Sequence, residues 1–238
     1  MLPDIPMHPL HEALAQIVSA LGLDSASTPI DQLLAYLDLL QRWNATYNLT
    51  AVRDPQQMLT QHLADCLAVV GPMSRQLAQV PAAKGEVSRP LRILDVGSGG
   101  GLPGVILAAM FPSWQVVCVD TVGKKAAFIR QAAVELGLGN LGAEHARVET
   151  LRAEPFDVIT SRAFSSLVDF TRLTRNLLAT QGVWMAMKGK APAAELSALP
   201  DEIEVFHVEP LIVPGLNAER CLVWMRRAVA PSVVAVDH

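Results

Sequence analysis

Five of the fifteen glycines fall within residues 97–104, directly after the apolar run 91–96. Such density needs a backbone reason. Glycine adopts the positive φ of a tight strand-to-helix turn, and without a Cβ it lets a ligand lie against the main chain. The turn reads Asp95-Val96-Gly97-Ser98-Gly99-Gly100-Gly101-Leu102-Pro103-Gly104. A helix is predicted over 102–111 with Pro103 in its first turn, so its free N–H groups face whatever anion sits in the turn.

Around this turn, short apolar runs alternate with segments of helical spacing. Strands are predicted over 91–96, 115–120, 141–146, 156–161 and 182–188, and helices over 102–111, 123–136 and 167–179. In 123–136, Phe128, Ile129, Ala132, Ala133 and Leu136 share one face. Apolar strands separated by single helices predict a parallel sheet covered on both faces. Strands over 203–208 and 220–225 have no convincing helix between them and are expected to pair as an antiparallel hairpin.

Upstream, 9–21 and 29–43 carry apolar positions at helical spacing. Thr28-Pro29 supplies an N-cap and a first-turn proline, and Asp54-Pro55 opens a third helix by the same device. The polar and aromatic stretch 43–50 reads as a loop. The expected organisation is a helical cap over 1–80, a small and polar connection over 81–90, an α/β domain over 91–227 and a loose tail over 228–238.

A 238-residue chain with 51% hydrophobic residues buries about 70 to 75% of its unfolded surface and needs no disulfide or structural metal. Cys66, Cys118 and Cys221 lack CxxC spacing and read as reduced core residues. Nineteen basic against 23 acidic residues give a net charge of −4, which excludes a global basic field. The charge is uneven: residues 1–60 hold six acids and two bases, whereas 124–190 hold ten bases and six acids. Any nucleic-acid site is therefore local. With no basic start followed by an apolar core, and no apolar window of about 18 residues, the expectation is a cytoplasmic protein without membrane contact. His62 and Asp65 lie three apart on one helix face, within reach of a mutual hydrogen bond, but a zinc site would need further ligands.

The glycine turn fits two ligand classes. Gly99-x-Gly101-x-x-Gly104 satisfies the dinucleotide fingerprint, a weak signal alone; Asp95-x-Gly97-x-Gly99-x-Gly101 is the pattern of S-adenosylmethionine-dependent methyltransferases. The second register accounts for the acid at the strand end, because a sulfonium and an ammonium favour a nearby carboxylate; otherwise Asp95 accepts loop N–H groups. Asp120, 19 residues after Gly101, ends the second strand, where an acid accepts both ribose hydroxyls of an adenosine. Its other role is as cap of the next helix, with Thr121 an equal candidate.

A short-chain dehydrogenase would require Tyr-x-x-x-Lys, yet Tyr36 and Tyr47 are followed four residues later by Leu40 and Ala51. Among methyltransferases, neither the Asn/Asp-Pro-Pro-Tyr loop for exocyclic amines nor the cysteine for pyrimidine carbon 5 is found. At that position stands Ser161-Arg162-Ala163-Phe164, a cation and an aromatic without a base. Guanine N7 suits such a site, because its in-plane lone pair carries no proton. In-line positioning is then the main catalysis, able to supply roughly 7 to 11 kcal/mol, with electrostatics adding to it. Phe164 is a candidate to stack on the base, or a core residue.

Several separated motifs between about 29 and 227 resemble one family: Trp43-Asn44, Asn48-Leu49-Thr50-Ala51, Arg53-Asp54, His62-x-x-Asp65, the 95–104 turn, Arg147-Val148-Glu149, Ser161-Arg162-Ala163-Phe164 and Lys188-Gly189. The family is the bacterial small-subunit rRNA guanine-N7 methyltransferases, RsmG or GidB. The resemblance implies a class I S-adenosylmethionine-dependent methyltransferase with a Rossmann-like, mostly parallel seven-stranded sheet and an N-terminal helical cap. It further implies methyl transfer to N7 of a guanine in 16S rRNA, with the small ribosomal subunit or an assembly intermediate as partner; a monomer is expected.

Carried over, it assigns the cofactor to Gly97, Leu102, Val148, Glu149 and Arg162, beside Asp95, Gly99, Gly101 and Asp120 from the turn and strand end. Arg162 and Lys188 are the candidate catalytic residues, and Trp43, Asn44, Asn48, Phe164, Lys124 and Lys125 the candidate RNA contacts. On spacing alone, Glu149 is equally a solvated acid, Lys124, Lys125 and Arg130 a solvated helix face, and Trp43 a packed helix end. Cys66 and Thr121 stand where the family generally has serine. The competing functions are an NAD-type oxidoreductase, a small-molecule methyltransferase and a noncatalytic adenosylmethionine-binding module on the ribosome.

Overall fold

The computed structural model describes residues 7–78, 89–164 and 166–228. Its strands are β1 (Arg92–Val96), β2 (Gln115–Asp120), β3 (Leu141–His145), β4 (Phe156–Ser161), β5 (Leu178–Lys188), β6 (Ile203–Pro210) and β7 (Cys221–Arg227). They form one sheet in the order β3-β2-β1-β4-β5-β7-β6. The first five run parallel, and β7 lies antiparallel between β5 and β6. The expected hairpin therefore forms, with its second strand inserted against β5. Strand order reverses about β1, which has β2 on one side and β4 on the other. A crevice consequently opens beyond the carboxyl ends of β1 and β4, at the end that carries the glycine turn.

The helices are α1 (His11–Ala20), α2 (Ile30–Tyr47), α3 (Pro55–Met58), α4 (Asp65–Leu67), α5 (Val70–Leu77), α6 (Gly104–Met110), α7 (Gly123–Glu135), α8 (Leu167–Thr174) and α9 (Ala193–Ser197). A π-helical turn, Leu59–Ala64, joins α3 to α4. Alternate residues of each strand enter opposite cores, as the period of two requires. Ile93, Met185 and Trp224 pack with the cap helices, α6 and α7, whereas Leu94, Trp184 and Val223 pack with Phe170 of α8. The cap thus shares one buried cluster with a face of the sheet. Each fully buried side chain there, such as Leu37 or Leu40 of α2, contributes roughly 1.5 to 3 kcal/mol. All three cysteines are free and buried, as expected.

Some boundaries differ from expectation for packing reasons. α2 continues through residues 43–47, read above as loop, because Trp43 packs against Phe128 (centroids 5.6 Å apart) and Asn44 is buried. It ends at Asn48, which adopts the left-handed conformation (φ 51°). Thr28 is not the N-cap: its hydroxyl donates to Asp24 O at 2.7 Å, and Pro29 takes that position without a side-chain bond. Asp54 does cap α3, accepting from Gln57 N–H. α6 starts at Gly104 rather than 102 because Gly101 and Leu102 N–H both donate back to Ser98 O. α8 stops at Thr174, whose hydroxyl accepts from buried Trp184 Nε1 at 2.8 Å, and β5 begins earlier than expected. The expected connection 81–90 and tail 228–238 lie outside the described residues apart from Arg89, Pro90 and Ala228. No helix among the described residues is long and apolar enough to cross a membrane.

Candidate active site

The glycine turn is held from below by the ends of β1 and β2. Gly97 and Ser98 N–H donate to Val119 O (2.8 and 3.3 Å), and Gly99 N–H donates to Asp120 Oδ2 (2.9 Å). Gly97, Gly99 and Gly101 have φ of 68°, 58° and 86°, in the left-handed region that favours glycine. What a side chain would meet divides the glycines. A Cβ on Gly97 or Gly99 would meet nothing within 4 Å, so their main chain faces open space. On Gly100 it would meet Leu40 at 3.2 Å, on Gly101 it would strike Val105, and on Gly104 it would strike Cys118 Sγ and Asp95 Oδ2. Gly97 and Gly99 form a cradle; the other three allow close packing.

Asp95 is fully buried, and its Oδ2 accepts from Gly104 N–H at 2.9 Å while Oδ1 has no partner. Burial pushes its carboxyl up to about 7, against the opposing pull of the Gly104 N–H and the Arg162 charge. Asp95 therefore braces the start of α6, the loop-bonding role, and is not open to a ligand. Asp120 is also largely buried; besides Gly99, its Oδ1 accepts from Val122 N–H at 2.9 Å. Each oxygen keeps a second lone pair for a hydroxyl. Leu102 has its side chain in the core, so only its main chain can meet a ligand. Val148 is buried beyond β3, and exposed Glu149 pairs with Arg147 at 3.0 Å. Bonds to its own N–H and to Arg147 hold the Glu149 carboxyl below the usual range.

The opposite wall is cationic. Ser161 Oγ donates to Val96 O at 2.8 Å and ties the end of β4 to that of β1, which seats Arg162 beside the turn. Arg162 Nη1 donates to Gln61 O in the π-helical turn (3.1 Å) and lies 3.4 Å from Asp65 Oδ2. Asp65 Oδ1 accepts from Arg220 Nε at 2.8 Å. Burial alone would lower the Arg162 pKa, but the acidic groups around it, Asp65 among them, hold it above its ordinary value. Lys188 Nζ contacts both Glu195 oxygens (3.1 and 2.8 Å) and Phe164 O (3.4 Å). Glu195 also accepts from Leu167 N–H, fixing the start of α8. Gln61, His62, Asp65, Arg162, Lys188 and Arg220 border a cavity of about 380 Å³ between cap and sheet. His62 does not bond Asp65; its Nε2 meets Thr50 Oγ1 at 2.9 Å, and burial, then the Arg162 charge, lower its pKa. Among the described residues no group of side chains could hold a metal ion.

The candidate RNA contacts divide. Asn44 is buried, its Oδ1 accepting from Thr50 N–H (2.9 Å) and its Nδ2 donating to Val52 O (3.2 Å). Trp43 packs against Tyr47 and Phe128. Both help build the cap: the Asn44 amide is engaged on both sides, whereas the Trp43 ring is only partly buried. Asn48 is exposed and accepts from Arg53 at 2.9 Å. Phe164 is half-buried against Phe170, with centroids 5.4 Å apart. Lys124 is exposed, and Lys125 Nζ lies 3.8 Å from Asp120 Oδ2. Three site residues were not foreseen: Tyr36, Glu195 and Arg220. Tyr36 had a legible signal, a hydroxyl on the buried face between Leu33 and Leu40 that must find a partner; Arg220, just before β7, had none.

The seven-stranded sheet in this order, with β7 antiparallel and an open glycine cradle at its switch point, is a class I S-adenosylmethionine-dependent methyltransferase fold. A family model described as rRNA small subunit methyltransferase G matches residues 29–223. The chain is 58% identical to the ribosomal RNA small subunit methyltransferase G of Leptothrix cholodnii, covering 95% of this chain and 100% of that protein. It is 60% identical to that of Acidovorax sp. (strain JS42), covering 90% and 94%. Among solved structures, TrmN from Thermus thermophilus is similar in fold (TM-score 0.53, 21% identity, 71% of this chain and 53% of that one). So is a SAM-dependent methyltransferase from Aquifex aeolicus (TM-score 0.51, 15% identity, 72% and 97%). The chain belongs to the rRNA small subunit methyltransferase G family, whose cofactor is S-adenosylmethionine. The bare main chain of Gly97 and Gly99 beside Asp120 fits that group.

Proposed function

We propose that the chain methylates N7 of a guanine in the 16S rRNA of the small ribosomal subunit or of an assembly intermediate. Gly97, Gly99 and Asp120 hold S-adenosylmethionine, which supplies an activated methyl group when bound. The observation that carries the reading is the Ser161–Val96 bond, which seats Arg162, the first cation of the wall, beside the open cradle. That wall presents Arg162, Lys188 and Arg220, and its carboxylate, Asp65, is already paired with two guanidinium groups. A wall whose carboxylate is already engaged suits an acceptor nitrogen that carries no proton. Arg162 and Lys188 orient the acceptor, and holding the reacting atoms in line accounts for roughly 7 to 11 kcal/mol of the barrier.

The test is incubation with methyl-labelled S-adenosylmethionine and small subunits lacking the modification, followed by cleavage selective for N7-methylguanosine. Label at one guanine of 16S rRNA is expected. Label on a metabolite, or none on RNA in any assembly state, would reject the reading.

A further inference from the structure

We propose that the cavity between cap and strand edge binds a phosphate of the RNA acceptor, with Arg220 as its principal ligand and Asp65 as the residue that positions Arg220 against Arg162. This rests on the reading that the acceptor is RNA. Three cations reach the cavity from three neighbouring strands: Arg162 follows β4, Lys188 ends β5 and Arg220 precedes β7. The register explains why. Ser161 pairs with Ala186, and Lys188 pairs with Cys221, so all three side chains leave the sheet at one edge. Against them the lining holds one carboxylate, Asp65. Glu195 neutralises Lys188 from outside the lining, so the pair of guanidinium groups sharing Asp65 retains one uncompensated positive charge.

The donors of this pair are incompletely used. Arg220 donates through Nε to Asp65 and through Nη1 to Glu219 O, and Arg162 donates through Nη1 alone. Arg220 Nη2 and Arg162 Nε and Nη2 thus donate to no group among the described residues. Both arginine side chains are only about a quarter exposed (26% and 27%). Buried His62 Nδ1, in the same lining, also lacks a partner. Planar N–H donors held rigidly by a carboxylate match the tetrahedral oxygens of a phosphate. The shared chemistry is an anion, and its two sources are an RNA phosphate and the carboxylate of the methyl donor. Sheet order favours RNA. Arg220 stands at β7, three strand spacings or roughly 14 Å from β1 and its cradle.

The experiment compares wild type, Arg220→Gln and Arg220→Lys. It measures S-adenosylmethionine binding by calorimetry, binding of unmodified 16S rRNA fragments and small subunits over a salt series, and steady-state methyl transfer. Arg220→Gln is expected to raise the RNA Kd and KM at least tenfold, with kcat within twofold and the donor Kd unchanged. The slope of log affinity against log salt should shrink by about 0.7 to 0.9, one phosphate contact. Arg220→Lys, which keeps the charge but not the fork, should retain the salt slope with affinity between the other two; it also decides the matter if the glutamine variant does not fold. Unchanged RNA affinity in either variant overturns the proposal, as does a loss confined to donor binding, which would assign the cavity to the donor carboxylate. Wild type that binds RNA with this salt slope but leaves N7 unlabelled would overturn the activity and keep the phosphate site. Labelled N7 with Arg220-independent RNA binding would do the reverse.

Discussion

The hydroxyl of Tyr36, in the cap helix α2, donates to the main-chain carbonyl of Gly100 in the cofactor turn at 2.7 Å. Tyr36 is fully buried, and burial above all holds its pKa well above the ordinary value, so it remains a donor. The cap therefore shapes the turn as well as covering the sheet. Tyr36→Phe removes this bond without changing shape, at about 1 kcal/mol. Thermal unfolding should fall by roughly 2 to 4 °C, and the S-adenosylmethionine Kd measured by calorimetry should rise several-fold. An unchanged Kd would separate the cap from the cofactor site.

Gly97 and Gly104 make opposite predictions although both belong to one turn. Gly97→Val places methyl groups in the open cradle and forces a β-branched residue to φ 68°, a strain of about 1 to 3 kcal/mol. It should fold with reduced stability and bind no S-adenosylmethionine. Gly104→Ala drives a methyl group into Cys118 and Asp95, so it should fail in folding before it fails in binding. Circular dichroism melts beside calorimetry distinguish the two, and a stable, cofactor-competent Gly97→Val would refute the cradle.

Asp95 predicts a pH signature for the ligand-free protein. Its folded pKa of about 7 lies above the ordinary carboxyl value of 3.8, so between those values the native state holds a proton that the unfolded chain has released. By linkage this group's contribution is full below about pH 4 and is lost as pH rises through 7. Asp95→Asn keeps an acceptor for Gly104 N–H and removes the titration. Urea unfolding of both proteins at pH 5 and pH 8 should show the variant gaining on wild type at the higher pH. Parallel behaviour would mean that Asp95 is ionised throughout.

Arg162 and Asp65 separate catalysis from stability. Arg162→Ala leaves Asp65 paired with Arg220 at 2.8 Å, so the fold should survive while methyl transfer is lost. Asp65→Ala leaves two guanidinium groups facing each other without a counter-charge. After discounting for their partial exposure, that costs about 2 to 3 kcal/mol. Denaturation and labelled-methyl assays on the two variants check the order; wild-type activity in Arg162→Ala would remove Arg162 from the site.

The strand and helix rhythm, the glycine turn and the Asp54 cap were legible because each rests on residues close in the chain. An apolar period, a positive φ and an N-cap are satisfied by neighbours. The same locality misled at 43–50, where polar composition read as loop. Burial of Asn44 and packing of Trp43 on Phe128 keep that stretch helical, and both depend on distant partners. Asp95 shows the same limit: its type and place left a ligand role and a loop brace both open, and only the tertiary structure shows it buried beneath α6 with the Gly104 N–H on its carboxylate.

From the sequence alone came the elements, their alternation and a main chain bare enough at Gly97 and Gly99 to admit a cofactor, since backbone freedom and side-chain period are properties of short segments. Tertiary structure decided which charges share a cavity. Asp65 meets Arg162 across 97 residues and Arg220 across 155, and strand order together with the cap's docking brings those three to one edge.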